Sequence, residues 1–367
     1  MKIFVYLFFV FLNLNAELVL EITESSDNPY RIAIHNFDGQ TSISNEISAI
    51  IKADLQRTGE FSVLSSNDLL EEEAYQEELN YKNYRLLGVD YILKGKIDSK
   101  DKMNITVSYD IYDSVKERKI RSSKIYGIPN KTRQLAHYVS DGIYEEITGL
   151  KGISSTKMLY VSEDVAGSAK AYKLMLADAD GMNEQILLKS NSAIISPSWS
   201  PDSKEIAYVS FETGIAKVFI QDIASGKRES VLSKSTQISS PSWSPDGKYL
   251  SLTLYQDGNA EIYIMRLQDR TLTRMTNQFA IDTESSWSPK GNKIIFTSGR
   301  SGSPQIYELD LRKLNPKAKR ISFEGTYNAK ASYLPKEEGI IFVHRSDDGL
   351  FHIALKYKKE NFISSNM

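Results

Sequence analysis

Enzymatic chemistry needs a nucleophile, a base and a group to orient it, or a cluster of metal ligands. The chain offers four histidines and no cysteine for such work. His35, His137, His344 and His352 are scattered and show no recognisable pairing, and no G-x-S-x-G stands anywhere. His137 follows Ala136 on a predicted helix and reads as structural or surface. His344 and His352 fall on neighbouring predicted strands as cross-strand partners, and two histidines without a third ligand make a poor zinc site. The stretch "DADGMNE" from Asp178 has two carboxylates and a glycine, but an EF-hand demands more ligands and a Glu about six residues after the glycine. It reads as a hairpin turn. The glycines of "SGRSGSP" miss both phosphate-loop spacings, and the acidic run "LLEEEAYQEEL" reads as a solvated helix face. The expectation is no catalytic residue, no metal and no cofactor.

Two rhythms set the elements that carry these residues. Up to about residue 150, two-residue alternation in "RIAIHNF" and "NITVSYDIYD" predicts strands, with another in "VDYILKGKI". Ile43, Ile47, Ile51 and Leu55 recur on one face of a helix stopped by Gly59. Leu135, Val139, Ile143 and Ile147 do so on a helix closed by Gly149, and a further helix is expected over 67–87 with Gly88 beyond it. This predicts an α/β domain over 17–150. "GLKGISST" suits a junction.

From Lys157 onward the chain repeats itself. Trp199, Trp243 and Trp287 stand 44 residues apart and Tyr333 follows 46 later, a period that predicts an all-β propeller over 157–367. Each unit reads as four strands, A to D in chain order. Pro-Asp-Gly makes the A-to-B turn, and the Trp packs between blades. Sets of B, C and D strands begin at Lys157, Lys204, Lys248, Lys293 and Gly339. Only four A strands precede them, because "GISSTKMLYVS" carries no WSP phrase. Five blades are therefore visible, the first without its inner strand, and the repeat series stops at "NFISSNM", about where a sixth blade is expected to begin.

Residues 1–16, "MKIFVYLFFVFLNLNA", place one Lys before an apolar run over 3–12 and end on Ala16, the layout of a cleaved signal peptide. Ten apolar residues rise only about 15 Å as a helix, half a bilayer core. The expectation is a soluble exported protein. With 45 basic and 47 acidic side chains interspersed, no field draws it to nucleic acid or an anionic membrane.

The order of parts and the wording "DLQRTGEF", "LGVDYILKG", "AHYVSDGIYEEITGLKG", "IAYVSFETG", "IDTESSWSPKG", "PQIYELDL" and "ISFEGTYNA" resemble the TolB family, six-bladed periplasmic propellers of the Tol-Pal system. The resemblance implies an adaptor rather than an enzyme, acting in outer-membrane integrity and constriction at division. It implies binding of the lipoprotein Pal through the propeller. It also implies binding of TolA through an extended arm, residues 17–29, with Glu17, Leu18, Val19, Leu20, Glu21 and Ile22 at its start. The D-to-A crossings and B-to-C loops are expected to meet at one face around the pore. There Gln237 and Ser240, Asp282, Thr283 and Glu284, and Asn328 occupy rim positions that the resemblance matches to Pal contacts. The rival readings are an exported propeller accessory of a hydrolase, a small-ligand-binding propeller, and a degenerate, inactive copy.

Overall fold

The computed structural model describes residues 28–64, 75–99, 103–166, 169–233, 237–256, 258–346, 349–357 and 363–364. Five strands open the fold: β1 (Tyr30–Ile34), β2 (Phe61–Val63), β3 (Tyr91–Asp98), β4 (Ile105–Asp113) and β5 (Arg118–Gly127), in sheet order β2-β1-β3-β4-β5. β1 runs parallel to β2 and β3, a pairing that requires crossovers. α1 (Thr41–Arg57) makes the first and α2 (Tyr81–Leu86) lies in the second. α3 (Thr132–Thr148) packs beside α1. As their spacing predicts, Ile47, Ile51 and Leu55 of α1 and Leu135, Val139 and Ile143 of α3 enter one core with Ile34, Leu93 and Val107 of the sheet. Each such aliphatic side chain contributes about 1.5–3 kcal/mol on burial. Gly149 ends α3 in the left-handed conformation, at φ 72°.

The helix expected over 67–87 is corrected. Residues 67–74 lie outside the described residues, residues 75–80 are not helical, and α2 covers only the last turns. The backbone of the segment is committed elsewhere: Tyr75 donates its N–H to Asp38 Oδ2 at 2.8 Å, and the Glu77 carbonyl accepts from Lys94 Nζ at 2.8 Å. Tertiary bonds to the sheet replace the bonds a helix would have used.

Five blades follow. The first holds β6 (Lys157–Ala166), β7 (Ala169–Asp178) and β8 (Gln185–Ser190). The second holds β9 (Ile194–Trp199), β10 (Glu205–Ser210), β11 (Lys217–Asp222) and β12 (Arg228–Ser233), and the third β13 (Ile238–Trp243), β14 (Tyr249–Gln256), β15 (Asn259–Arg266) and β16 (Leu272–Arg274). The fourth holds β17 (Asp282–Trp287), β18 (Lys293–Ser298), β19 (Gln305–Asp310) and β20 (Lys319–Arg320), and the fifth β21 (Tyr327–Tyr333), β22 (Gly339–Arg345), β23 (Phe351–Tyr357) and β24 (Ile363–Ser364). Strands pair in chain order within each blade, and β6, with no A strand beside it among the described residues, forms one edge of a three-stranded sheet.

The repeated phrase earns its repetition twice over. In its turn, Ser244 Oγ donates to Asp246 Oδ1 at 2.6 Å and accepts the Tyr249 N–H at 2.9 Å, while Gly247 takes φ 69°. The same Ser and Asp recur as Ser200 and Asp202. At its aromatic position, Trp287 of the fourth blade donates Nε1–H to the Ser242 carbonyl of the third at 3.1 Å.

Every A strand also carries a bulge. Between paired positions, two residues of β9, β13, β17 and β21 oppose one on the B strand. The first of the two, Ser196, Ser240, Glu284 and Lys330, stands at φ 53–55°. The second is Pro197, Pro241, Ser285 or Ala331. Proline is tolerated in mid-strand there because a bulge leaves an N–H without a ladder partner.

Candidate functional site

Each A strand starts at the end of its blade where the B-to-C loop turns, Asp282 pairing with Ser298 and Ile194 with Ser210. The crossings into the A strands and the B-to-C loops therefore share one face, as the strand order predicts. The bulges open toward the middle of the ring. Ser196, Ser240, Glu284 and Lys330, with Leu159, Tyr160 and Val161 of β6, line a central cavity of about 700 Å³.

The six residues expected on this face divide into two kinds. Gln237 is exposed ahead of β13, and its carbonyl accepts the Tyr255 N–H at 2.9 Å. Ser240, Thr283 and Glu284 are half-buried. Thr283 Oγ1 accepts from Thr253 Oγ1 of the neighbouring blade at 3.2 Å. Glu284 Oε2 accepts from Thr297 Oγ1 at 3.0 Å and from the Lys330 N–H of the fifth blade at 3.1 Å, so it ties two blades together.

Asp282 and Asn328 are corrected: both are wholly buried, not at the rim. Asp282 Oδ2 accepts from Arg300 Nη2 at 2.5 Å. Arg300 reaches it from the B-to-C loop, lying 4.8 Å over the Tyr307 ring and donating Nε–H to Ser298 Oγ at 2.8 Å. Burial pushes the Asp282 carboxyl above the usual carboxylate range, against the opposing pull of Ser298 and Arg300. Asn328 Nδ2 donates to Gln305 Oε1 at 2.8 Å and to the Glu324 carbonyl at 2.7 Å, and His344 Nδ1 lies 2.8 Å from its Oδ1. Short polar side chains under a crossing satisfy loop groups. Both are bonded beneath the crossings in this way. His344 faces His352 across the β22–β23 ladder as expected, each held by a different polar neighbour.

Sequence reasoning missed the apolar part of this face. Phe279 and Ile281 of one crossing, Phe323 of the next, Leu350 and Phe351 of the last B-to-C loop, and Ile215 and Tyr255 of earlier ones are exposed, Phe279 by 86 %. Among the described residues the opposite end carries Pro-Asp and Lys-Gly turns, with Leu314, Met182, Ile186 and Met158 as exposed apolar side chains on or beside them. The available signal was a lone aromatic inside a polar crossing, as in "NQFAIDT". The arm residues Glu17, Leu18, Val19, Leu20, Glu21 and Ile22 lie outside the described residues.

Residues 144–366 match the model of the TolB beta propeller domain, and residues 18–120 that of the TolB amino-terminal domain. The chain is 40 % identical over 215 residues to the Tol-Pal system protein TolB of Alcanivorax borkumensis, covering 58 % of this chain and 49 % of that one. It is 38 % identical over 206 residues to the same-named protein of Xanthomonas campestris pv. campestris, covering 56 % and 47 %. The matches span about half the length of these curated relatives. The crystal structure of TolB from Acinetobacter baumannii superposes with a TM-score of 0.86 at 35 % identity, covering 94 % of this chain and 85 % of that one. No described helix is long and apolar enough to cross a membrane.

Proposed function

Because the chain belongs to the TolB β-propeller family, we propose that it is a periplasmic adaptor of the Tol-Pal system, exported with cleavage near Ala16. It binds Pal through the crossing face of the propeller and TolA through the arm over 17–29, and so supports outer-membrane integrity and constriction during division.

The observation that supports this reading best is the asymmetry of the propeller's two ends. Among the described residues, exposed Phe279, Ile281, Leu350 and Phe351 stand on the crossings and B-to-C loops, whereas the other end exposes no phenylalanine. Contiguous exposed apolar surface rimmed by polar groups marks an interaction site, and buried aromatic anchors carry most interface energy. Phe279, Ile281 and Phe351 are the anchors here, and Gln237, Ser240, Thr283 and Glu284 the polar groups beside them. Asp282 and Asn328 act by holding the crossings.

Thr283→Ile and Phe279→Ser, checked by circular dichroism and melting, are titrated with Pal by calorimetry. Each is expected to weaken binding by about 1–2 kcal/mol, roughly five- to thirtyfold. Full affinity in both folded variants moves the Pal site off this face. Removal of residues 17–28 is expected to abolish TolA binding and to leave Pal affinity unchanged.

A further inference from the structure

At the junction of α3 with the first blade, far in sequence from the crossing loops, a histidine has one nitrogen committed and one open. His137 is 2 % exposed. Its Nδ1 lies 2.7 Å from Asp54 Oδ2 of α1, an oxygen that also accepts from Ser140 Oγ at 2.8 Å. Among the described residues its Nε2 has no hydrogen-bond partner. That nitrogen faces the β7–β8 turn, 3.9 Å from Asp178 Oδ2 and 3.8 Å from Asp180 Oδ2, and both carboxylates are nearly enclosed. The turn is the "DADG" hairpin, closed by the Gly181 N–H to the Asp178 carbonyl at 2.9 Å.

The charges around the ring already balance. Arg57 sits on Asp54, Lys157 on Asp178 and Arg133 on Asp180. Asn183 Nδ2 adds a bond to Asp178 Oδ2 at 2.6 Å. With Nδ1 turned to Asp54, Nε2 is left facing two carboxylate oxygens, and a nitrogen with two carboxylates is a donor set that a cation can take. A carboxylate behind the ring is also what metal-binding histidines use to fix tautomer and orientation. Donor bonds of about 2.0–2.2 Å to one ion span separations of this size with a wide angle at the metal.

We infer that His137 Nε2, Asp178 and Asp180 form a binding site for Zn²⁺ or a similar transition-metal ion, which staples α3 to the first blade while Asp54 orients the imidazole. One imidazole and two carboxylates suit zinc, whereas Ca²⁺ and Mg²⁺ take oxygen shells. Arg133 occupies Asp180 Oδ2, an oxygen the ion takes, so guanidinium and metal are alternatives for one position. The Arg133 side chain is 23 % exposed, which leaves it a way out to solvent.

The test uses the full chain stripped with a chelator and titrated with ZnCl₂ by calorimetry, with Co²⁺ absorption as a second readout of the ligand field. The expected result is one tight ion per chain. His137→Gln and Asp180→Asn each weaken binding at least about tenfold, Asp180→Asn serving should His137→Gln fail to fold. Arg133→Gln tightens it about tenfold, because it frees the oxygen and removes a competing cation. Absence of binding to the wild-type chain overturns the site. Binding that survives His137→Gln, or that weakens in Arg133→Gln, overturns it equally.

Discussion

Replacing Arg300 with Met tests whether Asp282 is held buried by one cation. The substitution leaves an unbranched side chain and deletes the guanidinium that lies over the Phe296 and Tyr307 rings and that Asp282 Oδ2 meets at 2.5 Å. Asp282 has no exposure, and without Arg300 only the pull of Ser298 and Thr276 remains to favour its charged form. Breaking a buried pair from one side costs about 3–5 kcal/mol. The Arg300 side chain is 15 % exposed, and that partial screening places the expectation near the low end, about 3 kcal/mol or about 6–12 °C in the melting temperature of the propeller. The pH dependence has a definite sign. The folded Asp282 pKa already lies above its unfolded value, chiefly through burial, so its contribution is favourable at low pH and is lost as pH rises through the folded pKa. Removing Arg300 raises that pKa further. Arg300→Met is therefore expected to be more damaging at pH 8 than at pH 5, and Asp282→Asn with Arg300→Met is expected to recover about 2 kcal/mol of the loss. Urea titrations of wild type, both single variants and the double variant at the two pH values read this directly. Equal losses at pH 5 and pH 8, or a double variant no better than Arg300→Met, refute the reasoning.

Ser196→Gly should leave stability unchanged or raise it by up to about 1 kcal/mol, because the bulge holds a non-glycine residue at φ 53°, and a loss above that in thermal melting counts against the strain. Burial, followed by Lys94 and Lys52, holds the His35 pKa down at about 4. Its contribution is complete above the unfolded value of 6.5 and is lost as pH falls toward 4. Acidification should therefore cost about 2 kcal/mol that His35→Gln does not lose, as followed by denaturation between pH 7 and pH 4. The inner edge of β6, unpaired among the described residues, should make residues 17–367 self-associate in sedimentation runs, and Tyr160→Lys on that strand should shift them toward monomer.

Periodicity disclosed what depends on the chain's own spacing. Ile47, Ile51 and Leu55 form a helical face in any setting that buries them, and the WSP phrase writes its turn and its interblade tryptophan in adjacent letters. The rest depended on partners remote in sequence. Asp282 and Asn328 look like loop residues because the groups that bury them, Arg300 and His344, come from other turns of the chain. Residues 75–80 left the helical pattern because Asp38 and Lys94 claim their backbone. The bulges did leave a trace: Pro197 and Pro241 stand where a regular strand cannot accept them. Glu284 and Lys330, in the same conformation, left none, since the residue types that favour positive φ are absent there.

The bulges also separate two kinds of heredity. The first bulge residue stands out of the ladder and faces the lumen, so backbone pairing does not fix its side chain, although Glu284 is held by Thr297 Oγ1 and by the Lys330 N–H. Around the ring that position reads Ser, Ser, Glu, Lys, while the aromatic residue three places on is Trp, Trp, Trp, Tyr. Substitution at Ser196, Ser240 or Lys330 can rewrite the lining of the channel one position at a time, with register, turn and interblade tryptophan untouched, whereas Glu284 also carries a bond between blades. Diversity and architecture are inherited side by side on the same strand, and the channel can drift toward a new chemistry without the propeller having to be rebuilt.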